Sequence, residues 1–78
     1  MADIQAIKEH MEVVGSDGGH VGTVDSVEGG NRIKLTKSDP VSGGQHHFVA
    51  ADWVEKIDTK IHLKKSAKDA QAQWQTAA

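Results

Sequence analysis

Five histidines, His10, His20, His46, His47 and His62, are the side chains in this 78-residue chain best suited to chemistry, because imidazole titrates near neutral pH and ligates metals. Their spacing is poor for a metal centre. Adjacent His46 and His47 on a strand point to opposite faces, so either would need His20 or His62 from another strand to complete a site. No i, i+4 helical pair occurs, and the reading preferred here is surface or half-buried strand histidines; no cofactor is expected. The serines Ser16, Ser26, Ser38, Ser42 and Ser66 lack any nucleophile-elbow context, and Asp17-Gly18-Gly19 is neither a calcium loop nor a phosphate cradle. Asp52, Glu55 and Asp58 offer carboxylates at spacings that give no reason to converge. The expectation is a protein that is not an enzyme.

The elements that carry these residues read as short strands separated by turn chemistry. Glu12 to Val14 and His20 to Val27 flank the Asp17-Gly18 turn, whose glycine supplies the positive φ that a tight turn needs. Val21, Val24 and Val27 do not alternate strictly, so Gly22 is expected at a bulge or at a close approach, in a curved sheet. Past the Glu28-Gly29-Gly30-Asn31 turn, Arg32-Ile33-Lys34-Leu35-Thr36 alternates cleanly, with Ile33 and Leu35 inward and the bases outward. The breaker-rich stretch Ser38 to Gly44 is expected to be a mobile loop. Further strands are expected at His46 to Val49, Val54 to Ile57 and Lys60 to Lys64, with a turn or single helical turn at Ala51 to Val54.

At the ends the period changes. Ile4, Ile7 and Met11 recur at helical spacing behind Asp3, a plausible N-cap, which suggests a short helix or turn in the first ten residues. Ser66-Ala67-Lys68-Asp69 has the form of a capping box, and Ala67, Ala70 or Gln71, and Trp74 share one helical face, so Trp74 should dock a C-terminal helix. Residues 75–78 are expected to fray. The fold class expected is mainly β: one domain spanning 1–78, with a core of about 7–74, built as a small antiparallel barrel of about six short strands with a short C-terminal helix.

Composition narrows the function classes. The net charge of −2 gives no general attraction to nucleic acid or anionic lipid, and without cysteine there is neither a disulfide framework nor a thiolate zinc site. Charge is uneven: residues 1–30 hold six acids against Lys8, a net of −5, and residues 31–78 hold eight bases against five acids, a net of +3. Such asymmetry could steer a partner or a second copy of the chain. The opening residues carry an acid where a secretory signal carries positive charge, and no apolar run is long enough for a membrane span. A cytoplasmic location with no membrane insertion is expected.

Met11-Glu12-Val13-Val14, Ser16-Asp17-Gly18, Val21-Gly22-Thr23-Val24-Asp25, Ile33-Lys34-Leu35, His47-Phe48-Val49, Asp52-Trp53-Val54 and Ile57-Asp58 together resemble the PRC-barrel superfamily. More narrowly, they resemble small free-standing bacterial PRC-barrel-like proteins grouped as domain of unknown function 2171. The resemblance runs from Ile7 to Leu63. It implies a small SH3-like β-barrel used as a docking module, and it brings no catalytic residues to transfer. Gly15 to Val24 is also similar to the glycine-centred motif of translation proteins whose barrels contact RNA. Here, however, Asp17, Asp25 and Glu28 put acid where phosphate contacts need bases, so nucleic-acid binding is not expected. The expected function is protein docking, with Trp53, Arg32 and Lys34 as candidate contacts and self-association as one form of it. The alternative is a small-ligand or metal-ion sensor built from the histidines and the 38–44 loop. Trp53 admits two readings, a core plug or an interface anchor.

Overall fold

Alternating strands become one curled sheet. The computed structural model describes residues 6–76, and there the chain forms β1 (Glu12–Val14), β2 (His20–Glu28), β3 (Arg32–Leu35), β4 (His47–Ala50), β5 (Val54–Ile57), β6 (Lys60–Leu63), α1 (Ala67–Gln73) and β7 (Gln75–Thr76). Single 3-10 turns at Pro40–Ser42 and Ala51–Trp53 punctuate the connections on either side of β4. The mainly β class with one helix is as expected. Among the described residues, no helix is long and apolar enough to cross a membrane.

The strand order is β5-β6-β1-β2-β3-β4-β7, so the expected closed antiparallel barrel is replaced by one open, mixed sheet. All neighbours are antiparallel except β1 and β6, which run parallel with Val13 opposite Ile61. The two ends, β5 and the two-residue β7, are left as edges. The sheet is nonetheless strongly curved. Val54 from the β5 edge and Val49 from β4 lie in the same apolar cluster, although a flat sheet would separate those strands by about 24 Å at the usual spacing. Bulges between Val13 and Val14 and between Val24 and Ser26 supply the bend.

The core is the inward row of every main strand: Val13, Val21, Val24, Ile33, Leu35, Val49, Val54, Ile61 and Leu63, closed by Ala70 of α1. The period of two predicted for β3 holds, with Ile33 and Leu35 buried and Arg32 exposed. Gly22 meets both halves of its expectation: the register steps from Val13–Gly22 to Val14–His20 and so bulges beside it at Val21, and a Cβ there would lie 2.8 Å from the Leu35 side chain. Ser66 caps α1 by accepting from the Asp69 amide (3.2 Å), and Trp74 packs against the core as expected.

Three expectations narrow or change at the margins. Asp3 and Ile4 lie outside the described residues, and of the expected helix or turn residues 7–11 form the turn, at Glu9 and His10, where the Met11 amide donates to the Lys8 carbonyl (3.2 Å) and His10 adopts φ 72°. Of the stretch 75–78 expected to fray, Gln75 and Thr76 instead pair with Phe48 and His47 as a seventh strand, and 77–78 lie outside the described residues. The 38–44 segment is not a free loop. Its Asp39 and Ser42 are buried, the first capping the 3-10 turn through the Val41 amide (3.0 Å) and the second donating to the Lys37 carbonyl (2.7 Å).

Candidate functional site

Two clusters of polar side chains stand out, on different parts of the sheet. The first grows from β1 and β2. The register sets Glu12 opposite Thr23 and Val14 opposite His20, and the β2 residues His20 and Thr23 both reach Asp39 in the 38–44 segment. His20 Nδ1 lies 2.9 Å from Glu12 Oε2 and its Nε2 lies 2.7 Å from Asp39 Oδ2. The Thr23 hydroxyl donates to that same Asp39 oxygen at 2.7 Å, and Lys60 of β6 holds the other Glu12 oxygen at 3.3 Å.

The electrostatics follow from placing an imidazole between two carboxylates. Burial works against the charged ring, but hydrogen bonds to Glu12 and Asp39 and the charges of both outweigh it, raising the His20 pKa above its ordinary value. Glu12 is held below the carboxylate range chiefly by its bond from His20, against a smaller opposing effect of burial and with help from Lys60. Burial pushes Asp39 upward, yet donation from Thr23, the Val41 amide and His20 leaves it lowered. The Asp39 side chain is only 3% exposed, and among the described residues no buried side-chain nitrogen or oxygen lacks a partner.

The second cluster is the outward row of β3 and β4. Lys34 stands opposite Phe48, and the Arg32 guanidinium lies 4.8 Å above the Phe48 ring. Glu28 at the end of β2 reaches both bases at long range, 3.9 Å to Arg32 and 3.7 Å to Lys34. Pairs that long and that exposed contribute little, so the bases stay available to another carboxylate. Alternation alone placed Arg32 and Lys34 on one face. Phe48 invites from the sequence the same two readings as Trp53, with core packing preferred, but it lies outside the core cluster and joins the bases on the outward face, as its place beside inward Val49 requires.

Trp53 lies apart from this face in the 3-10 turn before β5. It is half-buried against the core, as a core plug would be, with the Lys65 ammonium 5.0 Å from its ring centroid. The histidines considered for a metal are each tied to a different partner. His46 Nδ1 donates to the Leu35 carbonyl (3.2 Å), and His47 Nε2 donates to the Ser42 carbonyl (2.6 Å) while its Nδ1 meets the Thr76 hydroxyl (3.0 Å). His47 also stacks on Trp74 at 3.8 Å. His62 Nε2 faces the Asp58 carboxylate at 3.0 and 3.1 Å, and the Lys60 amide and this imidazole together lower the Asp58 pKa.

Among the described residues, no group of three or more histidines and carboxylates is placed to hold a metal ion. Glu12, His20 and Asp39 are close enough to invite the idea, but the two carboxylates sit at opposite ends of one ring. An ion at either nitrogen would reach only one of them. A shallow groove of about 350 Å³ lies between β1, β5 and β6, lined by Lys60 and His62, whose polar ends are already engaged by Glu12 and Asp58. Glu12, Thr23 and Asp39 went unremarked in the sequence as site residues. The one local signal was Asp39-Pro40, an N-cap followed by proline at the first helical position.

Residues 7–71 match the model of a bacterial family described as an uncharacterized protein conserved in bacteria, DUF2171. No curated protein and no solved structure matches the chain.

Proposed function

We propose, for a chain that belongs to this uncharacterized bacterial family, a non-enzymatic docking function: a PRC-barrel-like module that engages a partner protein through the outward face of β3 and β4. The observation that carries the reading is Arg32 stacked over Phe48 beside Lys34. Arginine and aromatic side chains are the residue types that anchor interfaces, and here they lie on one hydrogen-bonded strand pair. The partner surface that fits is an apolar side chain flanked by carboxylates, which would take over the bases from Glu28. A strongly curved sheet with a short C-terminal helix supports the barrel-like part of the reading, with its edges left open.

The test is capture by cross-linking from bacterial lysate, followed by titration of the purified partner against single variants. Phe48→Ala is expected to weaken binding tenfold or more, a loss of about 1.4 kcal/mol, and Arg32→Glu to weaken it further and to reverse the salt dependence. Lys68→Glu, on the exposed side of α1, should bind like the parent protein. A partner whose affinity neither Phe48→Ala nor Arg32→Glu alters would defeat the assignment of this face. Sedimentation showing only copies of the chain on each other would replace the partner with self-association.

A further inference from the structure

We propose that Glu12, His20 and Asp39 form a pH-operated clasp that fastens the 38–44 segment to the sheet while the His20 imidazole is protonated and loosens it when that proton leaves. Both ring nitrogens face carboxylate oxygens, at 2.9 and 2.7 Å, and only imidazolium carries a hydrogen on each. Neutral imidazole has a single N–H, so one of these contacts must become a lone pair set against a carboxylate oxygen. The buried Asp39 carboxylate then also loses its counter-charge and is left with neutral donors alone: Thr23, the Val41 amide and, where the remaining proton sits on Nε2, the uncharged ring.

What the clasp holds is specific. Asp39 is the cap of the Pro40–Ser42 turn, with Oδ1 on the Val41 amide and its backbone carbonyl accepting from the Ser42 amide at 2.9 Å. Ser42 in turn offers its carbonyl to His47, whose ring stacks on Trp74. The elements packed around His20 bring few charges to it. β1 presents Glu12; β6 reaches it only through Lys60 on Glu12; the 38–44 segment presents Asp39; and α1 contributes the neutral Gln71, whose amide donates to the His20 carbonyl (3.2 Å). Lys68 and Asp69 of α1 are exposed, and the charges that act on the ring are those of Asp39 and Glu12.

The directions of the shifts fix the sign of the effect. His20 is raised, so its contribution is complete below its ordinary pKa of about 6.5 and is lost as the pH climbs through the higher folded value. Glu12 and Asp39 are lowered, so theirs is complete above the carboxylate range and lost as the pH falls. The clasp is therefore tightest between about pH 5 and 6.5 and slackens as the pH rises above that range. It stands on geometry away from the docking face, and neither reading depends on the other.

The experiment is histidine-detected NMR titration combined with amide hydrogen exchange on the full chain from pH 5 to 9. The His20 ring should titrate above 6.5. Protection of the Val41 and Ser42 amides, corrected for intrinsic rates, should fall roughly threefold or more across that midpoint, while Ile33 and Leu35 in β3 keep theirs. In His20→Gln, which leaves His47 in place, the pH dependence at Val41 and Ser42 should vanish. Two results would overturn the clasp: a His20 midpoint at or below 6.5, or protection at Val41 and Ser42 that is flat across the range. A flat profile would mean that the ring yields at Glu12 and keeps Asp39.

Discussion

The Asp39→Ala variant is expected to lose about 3 kcal/mol of folding stability, the usual scale for removing a buried carboxylate that several donors share, here in a cluster whose other charged members are half-exposed. Alanine strands three donors at once: the Thr23 hydroxyl, the His20 Nε2–H and the Val41 amide. For a chain of 78 residues the loss corresponds to a fall in Tm of roughly 12–24 °C. Asn at the same position can still accept from Val41 and Thr23 but cannot balance the imidazolium, so it should cost about half as much. The pH profile separates this account from simple loss of packing. Because Asp39 is lowered and His20 raised in the folded protein, the deficit of Asp39→Ala should be widest between about pH 5 and 6.5 and narrow in both directions. Thermal melts at pH 3.5, 6 and 9 check it; a deficit independent of pH would mean that Asp39 acts only as a cap.

How much of this was visible in the sequence depends on whether the cause was local. β3 was legible because alternation along four residues decides both burial and direction, and the Ser66 cap was legible because helix capping spans only three residues. The topology was not. A closed antiparallel barrel and an open sheet with β1 parallel to β6 place the same residues inward, so the hydrophobic pattern cannot tell them apart. The seventh strand escaped for a similar reason: Gln75 and Thr76 have no apolar pattern, and they pair because α1 and the Trp74 stack on His47 deliver them to the edge of β4. The 38–44 stretch looked mobile because its composition is that of a loop. What fixes it is tertiary, a carboxylate reaching an imidazole 19 positions away. The outward face of β3 and β4 was half legible, since strand parity put Arg32 and Lys34 together, while the ring between them comes from a strand that only folding brings alongside.

Gly15 shows how such a long-range constraint can rest on one hydrogen atom. Gly15→Ala is expected to cost about 3 kcal/mol or more, at the upper end of the penalties for overpacking. A Cβ at this buried position would stand 2.2 Å from the Ala67 nitrogen and 2.7 Å from the Ser66 carbonyl carbon, both backbone atoms that no rotamer change can move aside. The start of α1 lies there because Asp17 in the adjoining turn accepts from both the Gly19 amide (3.0 Å) and the Ala67 amide (3.2 Å), and because the Ser16 amide donates to the Lys65 carbonyl (2.8 Å). Displacing α1 to make room would break those bonds and lift Ala70 out of the core, and Trp74 away from His47. Gly18→Ala is the matched control. Gly18 has open space around it but φ +81°, so alanine there should cost only the left-handed penalty of about 1–2 kcal/mol. Circular dichroism melts of the two variants, with the Trp74 indole resonance as a local reporter, separate crowding from backbone strain. A Gly15→Ala protein that melts within a degree or two of the parent, with an unmoved Trp74 signal, would mean that β1 and α1 do not meet as closely as the fold requires.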